Sequence, residues 1–335
     1  IEQRRALGEV VGLGVASCVE VSGGGGESGS VTLGPDGRVV AVTGTSPHGQ
    51  GLVTSFAQII SDELGVSMDD IEVRYGDTAI GARGVGTMGS RSLHLGGSAL
   101  LQAAQEVRRL LLTAAGEELE AAPEDLVIND GRVSIAGSPE RSVALADAVH
   151  RAAASGVNDG AAAGVCDGIH VGLQYQGEGE TFPFGTTIAV VAIDRETGRP
   201  TIERYVSVDD CGEVVNPRLV EGQLIGGATQ GIGETLWEQI VYDADGQLLS
   251  NTLMEYAAPH AEWLPSFELE RTTTPTPRNP LGAKGVGEAG TVHAPPAVAN
   301  AVMDALRPFG VEPLDLPLTA EKLWRVIHHG GQGIR

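Results

Sequence analysis

The sequence predicts an α+β fold in which mixed sheets pack against helices. Three observations carry this. Strand-like and helix-like apolar patterns follow one another irregularly and not as a βαβ array. No internal repeat recurs at a fixed period. The chain has 335 residues, 41% of them hydrophobic, enough for one large or two ordinary domains with a sizeable core.

Each element has its own reason. Residues 8–22 and 30–43 read as strands, the second stretch split by the turn "GPDG". "GTSPHGQG" (44–51) is a loop, and Leu52, Phe56, Ile59, Ile60 and Leu64 then form a helical apolar stripe. "IEVRYG" (71–76) is a strand, followed by the glycine loop "GARGVGTMGSRS" (81–92) and an Ala/Leu-rich helix over 98–119. "LVINDGRVSI" (126–135) is a hairpin turning at Asp130-Gly131, and 142–154 is a short helix. The polar Gly/Ala stretch 155–168 reads as a linker or surface loop dividing a first half (1–154) from a second (169–335). Strands are expected at 169–176, 186–194 and 201–208, and a glycine-interrupted helix at 217–237. One or two further strands, a Pro/Thr-rich loop (272–280) and helices at 295–306 and 319–328 complete the chain.

Composition excludes several functions. A net charge of −22 repels phosphate backbones, which argues against nucleic-acid binding. No apolar run approaches the roughly 18 residues that span a bilayer, and no signal peptide is visible. The first residue is Ile, not Met, as expected of a fragment or a trimmed chain. The cysteines, Cys18, Cys166 and Cys211, are far apart and form no C-x-x-C. Iron–sulfur ligation, structural zinc and a disulfide scaffold are therefore not expected, and a cytoplasmic setting fits. The histidines form no H-E-x-x-H, and His328 and His329 are expected at the surface of the last helix. No G-x-S-x-G and no P-loop occur. Glycine is the outlier, at 48 residues about twice ordinary usage, and its clusters mark backbone in close approach to backbone or ligand.

Gly285, Gly287 and Gly290 spell G-x-G-x-x-G, the fingerprint of a dinucleotide-binding turn. That turn must follow a hydrophobic strand, whereas "TTTPTPRNPLGAK" precedes this one, and its prolines exclude a central strand. A second match at Gly84, Gly86 and Gly89 lacks a tight strand-to-helix turn. Neither reads as a nicotinamide site. From Thr291 through "APPAVANAV" the chain reads as a helix start, with Pro295 or Pro296 in its first turn. Glu288 is then either an acid stabilised by a helix dipole or a carboxylate held on a stiff loop as a general base. "SPHGQG" presents Gly49, Gln50 and Gly51 ahead of one helix, and "GSRS" presents Ser90, Arg91 and Ser92 ahead of another. Both patterns suit anion binding at helix N-termini, and both also suit ordinary capping.

Four segments occur in order: "TGTSPHGQGLVTSFAQIISDELGV", "YGDTAIGARGVGTMGSRS", "VDDCGEVVNPRLVEGQLIGGATQGIGE" and "GAKGVGEAGT". Together they resemble the molybdenum hydroxylase (xanthine oxidase) family, and within it the molybdopterin-binding large subunit of the aerobic carbon monoxide dehydrogenase type. The resemblance implies the molybdopterin-binding domain fold, with both halves belonging to one domain. It implies that Gln50, between Gly49 and Gly51, donates near the metal or the pterin dithiolene. Gly89, Ser90, Arg91 and Ser92 would bind the pterin and its phosphates, and Gln230 would contact the pterin. Asp210 and Asn216 would serve the nucleotide end, and Lys284 would fix the loop or the cofactor. Glu288 would be the general base acting on a metal-bound hydroxide, with a carboxylate pKa raised by burial. The implied cofactor is molybdenum–molybdopterin cytosine dinucleotide, and no residue of this chain is expected to ligate the metal. FAD and iron–sulfur clusters would sit on a medium and a small partner subunit, in a hetero-oligomer such as a dimer of heterotrimers. The substrate would be carbon monoxide, an aldehyde or an N-heteroaromatic, oxidised with water as oxygen source. The family's earlier half carries a "GGFGGK"-like segment that "GGGGES" (23–28) does not match. The chain is therefore expected to be the C-terminal part, inactive and weakly cofactor-binding without its upstream half. The competing expectation is a non-catalytic split or remnant domain that serves subunit assembly.

Overall fold

The computed structural model describes residues 1–80, 83–129, 131–154, 168–311 and 313–330. Most of the proposed linker 155–168, the turn residue Asp130, Gly81 and Ala82 of the glycine loop, and Cys166 lie outside the described residues.

A short helix α1 (Glu2–Ala6), not foreseen, precedes strand β1 (Val10–Val19). The stretch split by "GPDG" forms β2 (Gly26–Leu33) and β3 (Val39–Thr43). Helix α2 (Leu52–Leu64) buries the expected stripe and stops at Gly65, which adopts φ 66°. Strand β4 (Ile71–Arg74) follows, and Ser92–Gly96 form a π-helical turn running into α3 (Gly97–Leu119). The hairpin β5 (Leu126–Asn129) and β6 (Arg132–Ile135) gains a third strand, β7 (Ser138–Ala144), so α4 begins later than expected (Leu145–Ala154). Pro139 lies in β7, an edge strand, where proline is tolerated.

The second half adds β8 (Ile169–Gln176), β9 (Phe184–Ile193) and β10 (Pro200–Asp210), then α5 (Pro217–Leu236) and β11 (Phe267–Thr272). The last helices are α6 (Ala289–Leu306) and α7 (Ala320–His329). Helix α6 corrects the sequence expectation. It starts six residues before Pro295, and both prolines lie inside it. The carbonyl of Glu288 accepts hydrogen bonds from Thr291 and Val292 N–H, so the first turn closes ahead of the prolines.

The sheets are mixed, as expected. One runs β1-β9-β10-β11, antiparallel except for the parallel β10–β11 pair. Another runs β4-β3-β2-β8, antiparallel except for β3–β4, and β5-β6-β7 form a small meander. Each larger sheet takes strands from both sides of residues 155–168. The core has two main centres. One gathers Val31, Leu33, Phe56, Ile60, Leu100, Val107 and Leu111 around α2 and α3. The other gathers Val10, Val191, Tyr205, Ile232, Val298 and Val302 around α5 and α6.

Strand β1 meets α6 almost backbone to backbone. Gly12 and Gly14 share one face of the strand. A Cβ on Gly12 would overlap Ala301 O and Ala305 N, and one on Gly14 would overlap Ala297 O and Ala301 N. Asp304 of α6 closes this contact by accepting from Leu13 N–H at 2.9 Å and pairing with Arg5 at 2.5 Å. The result places the end of β1, and with it Glu20, beside the start of α6.

Candidate active site

A pocket of 390 Å³ opens between four loops, and the first turns of four helices border it. His48, Gln50, Leu52 and Ser55 come from the loop into α2, and Thr87 through Ser90, Ser92 and Leu93 from the glycine loop and π-helical turn. Asn216, Leu219, Val220 and Gln223 come from the start of α5, and Lys284 through Glu288 from the approach to α6. Helix N-termini carry unpaired N–H groups and a partial positive charge, so four of them around one cavity favour an anionic guest. The lining adds neutral donors, Lys284 and, among the described residues, one carboxylate, Glu288.

The walls are tied together by buried side chains. Arg91 was expected to reach a ligand phosphate, but it does not line the pocket. Its guanidinium is buried and donates to Glu27 at 3.1 Å, Gly86 O at 3.2 Å and Gly26 O at 2.6 Å. Glu27 also accepts from Ser28 and Val85 N–H. Lys284 donates to the fully buried Asp210 at 2.8 Å and lies 4.7 Å from the Phe184 ring centroid. Burial would push Asp210 up, but hydrogen bonds from Lys284, Thr274, Gly212 and Thr272 outweigh it and hold the carboxyl below its usual range. Asp210 therefore sits beneath the loop and does not line the pocket, and Lys284 pairs with it from the loop above. A Cβ on Gly285 would overlap Ser22 Oγ and Ser90, so this loop passes the serine at backbone distance.

Other residues divide between wall and support. Asn216 caps α5 by accepting from Leu219 N–H at 3.1 Å, and its amide donates to Gln58 at 2.6 Å. Gln50 turns its carbonyl back to His48 N–H. Gly49 and Gly51 shape that loop with φ 100° and 85° and do not line the cavity themselves. Ser92 donates to Thr87 at 2.9 Å, and Thr87 donates to Ser46 O, cross-linking two walls. Gln230 is exposed on α5 outside the lining, where it accepts from Thr291 at 3.4 Å. Sequence reasoning did not single out His48, Thr87, Leu219, Gln223 or Val286. All five lie inside the quoted segments, but no periodicity distinguishes a loop residue facing a cavity from its neighbours.

Glu288 stands at the N-cap of α6 and is exposed to the pocket, so the burial expected for it is not found. Ser90 holds it: Ser90 Oγ donates to Glu288 Oε2 at 2.8 Å and accepts from Glu288 N–H at 3.1 Å. Ser90 adopts φ 55°, a left-handed conformation costly for a non-glycine residue. Behind Arg91, burial and that guanidinium hold His94 at about 4, against an ordinary 6.5. The folded protein leaves His94 neutral in this window while the unfolded chain takes up a proton. Stability is therefore lost as pH falls from 6.5 toward 4, by about 3 kcal/mol in full. Thermal melts across that window should show a shallower loss for His94→Met than for wild type.

Among the described residues no group of three metal-ligating side chains occurs, and no helix is long and apolar enough to cross a membrane. His328 and His329 are exposed. Cys211 is buried, which pushes its thiol up to about 11.

Comparison with known proteins shows the family and the fold. Residues 1–265 match the family model described as "Molybdopterin cofactor-binding domain". The chain is 37% identical to the carbon monoxide dehydrogenase large chain of Hydrogenophaga pseudoflava over 95% of its own length and 39% of that protein's. It is 35% identical to the nicotine 6-hydroxylase large subunit of Paenarthrobacter nicotinovorans, over 97% of this chain and 41% of the relative. The crystal structure of quinoline 2-oxidoreductase from Pseudomonas putida 86 superposes with a TM-score of 0.85 at 35% identity, covering 98% of this chain and 43% of that one. That of a Cu,Mo carbon monoxide dehydrogenase superposes with 0.86 at 31% identity, covering 99% and 43%. The chain thus spans about two fifths of the length of the relatives it matches.

Proposed function

We propose a function from one premise: this chain belongs to the molybdopterin cofactor-binding domain family. It is the cofactor-binding catalytic part of a molybdenum hydroxylase, in which residues 1–154 and 169–335 are two halves of one domain. The enzyme oxidises a small carbon substrate, such as carbon monoxide, an aldehyde or an N-heteroaromatic, with water as oxygen source.

The observation that carries this reading is the convergence of four helix starts on a cavity whose sole acidic lining residue, among the described residues, is Glu288. The donor set suits an anionic pterin: backbone N–H groups and the amides of Gln50 and Gln223. When bound, the molybdenum–molybdopterin group supplies the two-electron oxidation. The chain's own residues bind and orient. Gln50 and the Gly89–Ser92 backbone donate to the cofactor, Asn216 sets the α5 terminus, and Gln230 extends the donor surface beyond Glu288. Arg91, Asp210 and Lys284 act at one remove by locking the loops with buried ion pairs. Glu288 accepts a proton at its carboxylate as general base, and Ser90 aims it.

The cofactor is taken to be the cytosine dinucleotide form. Electrons leave through iron–sulfur and FAD centres on partner subunits of a cytoplasmic hetero-oligomer, and the upstream molybdopterin-binding half completes the cavity. Purification of this chain with that half and those subunits tests the reading. Molybdenum and cytidine nucleotide are expected in equimolar amounts with the chain. Absence of both from the full assembly would overturn the reading in favour of an assembly module.

A further inference from the structure

Ser90 lies between two carboxyl groups, and its single hydrogen serves only one of them. Its Oγ is 2.8 Å from Glu288 Oε2 and 3.1 Å from Glu20 Oε1, and it also accepts from Glu288 N–H at 3.1 Å. A hydroxyl offers one donor and two acceptor sites. The N–H occupies one acceptor site, and the shorter contact to Glu288 takes the hydrogen. What remains to face Glu20 is a lone pair, which an ionised carboxylate repels and a protonated carboxyl satisfies by donating. The other oxygen of Glu20, Oε2, is buried without a hydrogen-bond partner among the described residues. A bare anionic oxygen is costly there and a neutral carbonyl far less so.

We propose that Glu20 is a positioning residue: it carries a proton, donates it to Ser90 Oγ, and thereby commits the serine hydroxyl to the carboxylate of Glu288. This rests on the reading of Glu288 as the base. Every hydrogen-bonding site of Ser90 is then filled, and Glu288 is gripped through both its N–H and its Oε2. The surroundings agree. Burial comes first in raising the Glu20 pKa; the Ser90 hydrogen bond opposes it, and Glu288 adds to the rise. Of the other ionisable groups facing Glu20, His293 on α6 favours the charged form, and Cys18 lies on β1 itself. Once pH climbs through the raised Glu20 pKa, two anions compete for one hydroxyl and Glu288 loses its fixed orientation.

The test uses the assembled enzyme and the variants E20Q, S90A and E288Q. Wild-type kcat is expected to fall on an alkaline limb set by Glu20. The E20Q side chain is neutral at every pH and still donates through its amide, so it should lose that limb while KM stays near wild type. S90A should lower kcat about tenfold or more, as loss of a hydrogen bond to a charged group implies. Infrared pH titration reads the proton without turnover. A carboxylic-acid band should persist above the ordinary glutamate range in wild type and E288Q and vanish in E20Q. An unchanged alkaline limb in E20Q beside an inactive E288Q overturns this inference alone. E288Q at near-wild-type turnover overturns the base assignment and the inference with it. If E20Q fails to fold, a wild-type spectrum without that persistent band still refutes the proposal.

Discussion

Glu288→Gln is expected to lower turnover of the assembled enzyme about 10²- to 10⁴-fold, the range for loss of a positioned general base, with molybdenum content unchanged. The substitution is nearly isosteric, and Gln retains an oxygen to accept from Ser90 Oγ and the same backbone N–H to donate to it. Glu288 is exposed at the cavity rim, so its replacement leaves no buried charge unpaired and the fold should survive. What disappears is the one proton acceptor of carboxylate strength among the lining residues. Steady-state kinetics with metal analysis on the same preparation checks this. Near-wild-type kcat with molybdenum bound would refute the role. Loss of both together would show that Glu288 holds the cofactor and does not act on substrate.

The second large effect is on stability. Arg91→Ala removes the partner of Glu27, whose side chain is 0% exposed. Breaking a buried ion pair from one side typically costs about 3–5 kcal/mol, because the remaining charge is stranded. Here the guanidinium also satisfies Gly26 O and Gly86 O, so those carbonyls lose partners too. Denaturant unfolding should report the loss. The double variant Arg91→Met/Glu27→Leu should recover part of it, because it leaves no uncompensated ion. A single variant as stable as wild type would show that the pair is not what holds the glycine loop against β2.

Much of this protein was legible in sequence. The stripe Leu52, Phe56, Ile59, Ile60, Leu64 is the face α2 buries, and the strand expected over 169–176 is β8 to the residue. Such elements read clearly because burial of one face imposes a period on the chain. Edge strand β7 is not legible in the sequence, and α6 starts earlier than Pro295 and Pro296 suggest, because the first turn closes ahead of the prolines in its tertiary setting. The quoted segments also contain every lining residue except Leu93, so the location of the site along the chain was readable.

The directions of side chains within those segments were not. Arg91 and Ser92 are adjacent, yet one is sealed against Glu27 while the other faces the cavity. Glu20, just past the end of β1 and with no motif of its own, lies against Ser90 seventy positions away in sequence. By itself the sequence determined most element types and the glycine loops, because these follow from local periodicity and backbone freedom, whereas Glu288 stands out as a candidate base only through the family resemblance. Only the tertiary structure decided which charges are buried in pairs and which carboxyl groups share one hydroxyl. Those depend on the close approach of β1 to α6 and on the convergence of four helix starts, and such contacts between distant residues leave no local pattern.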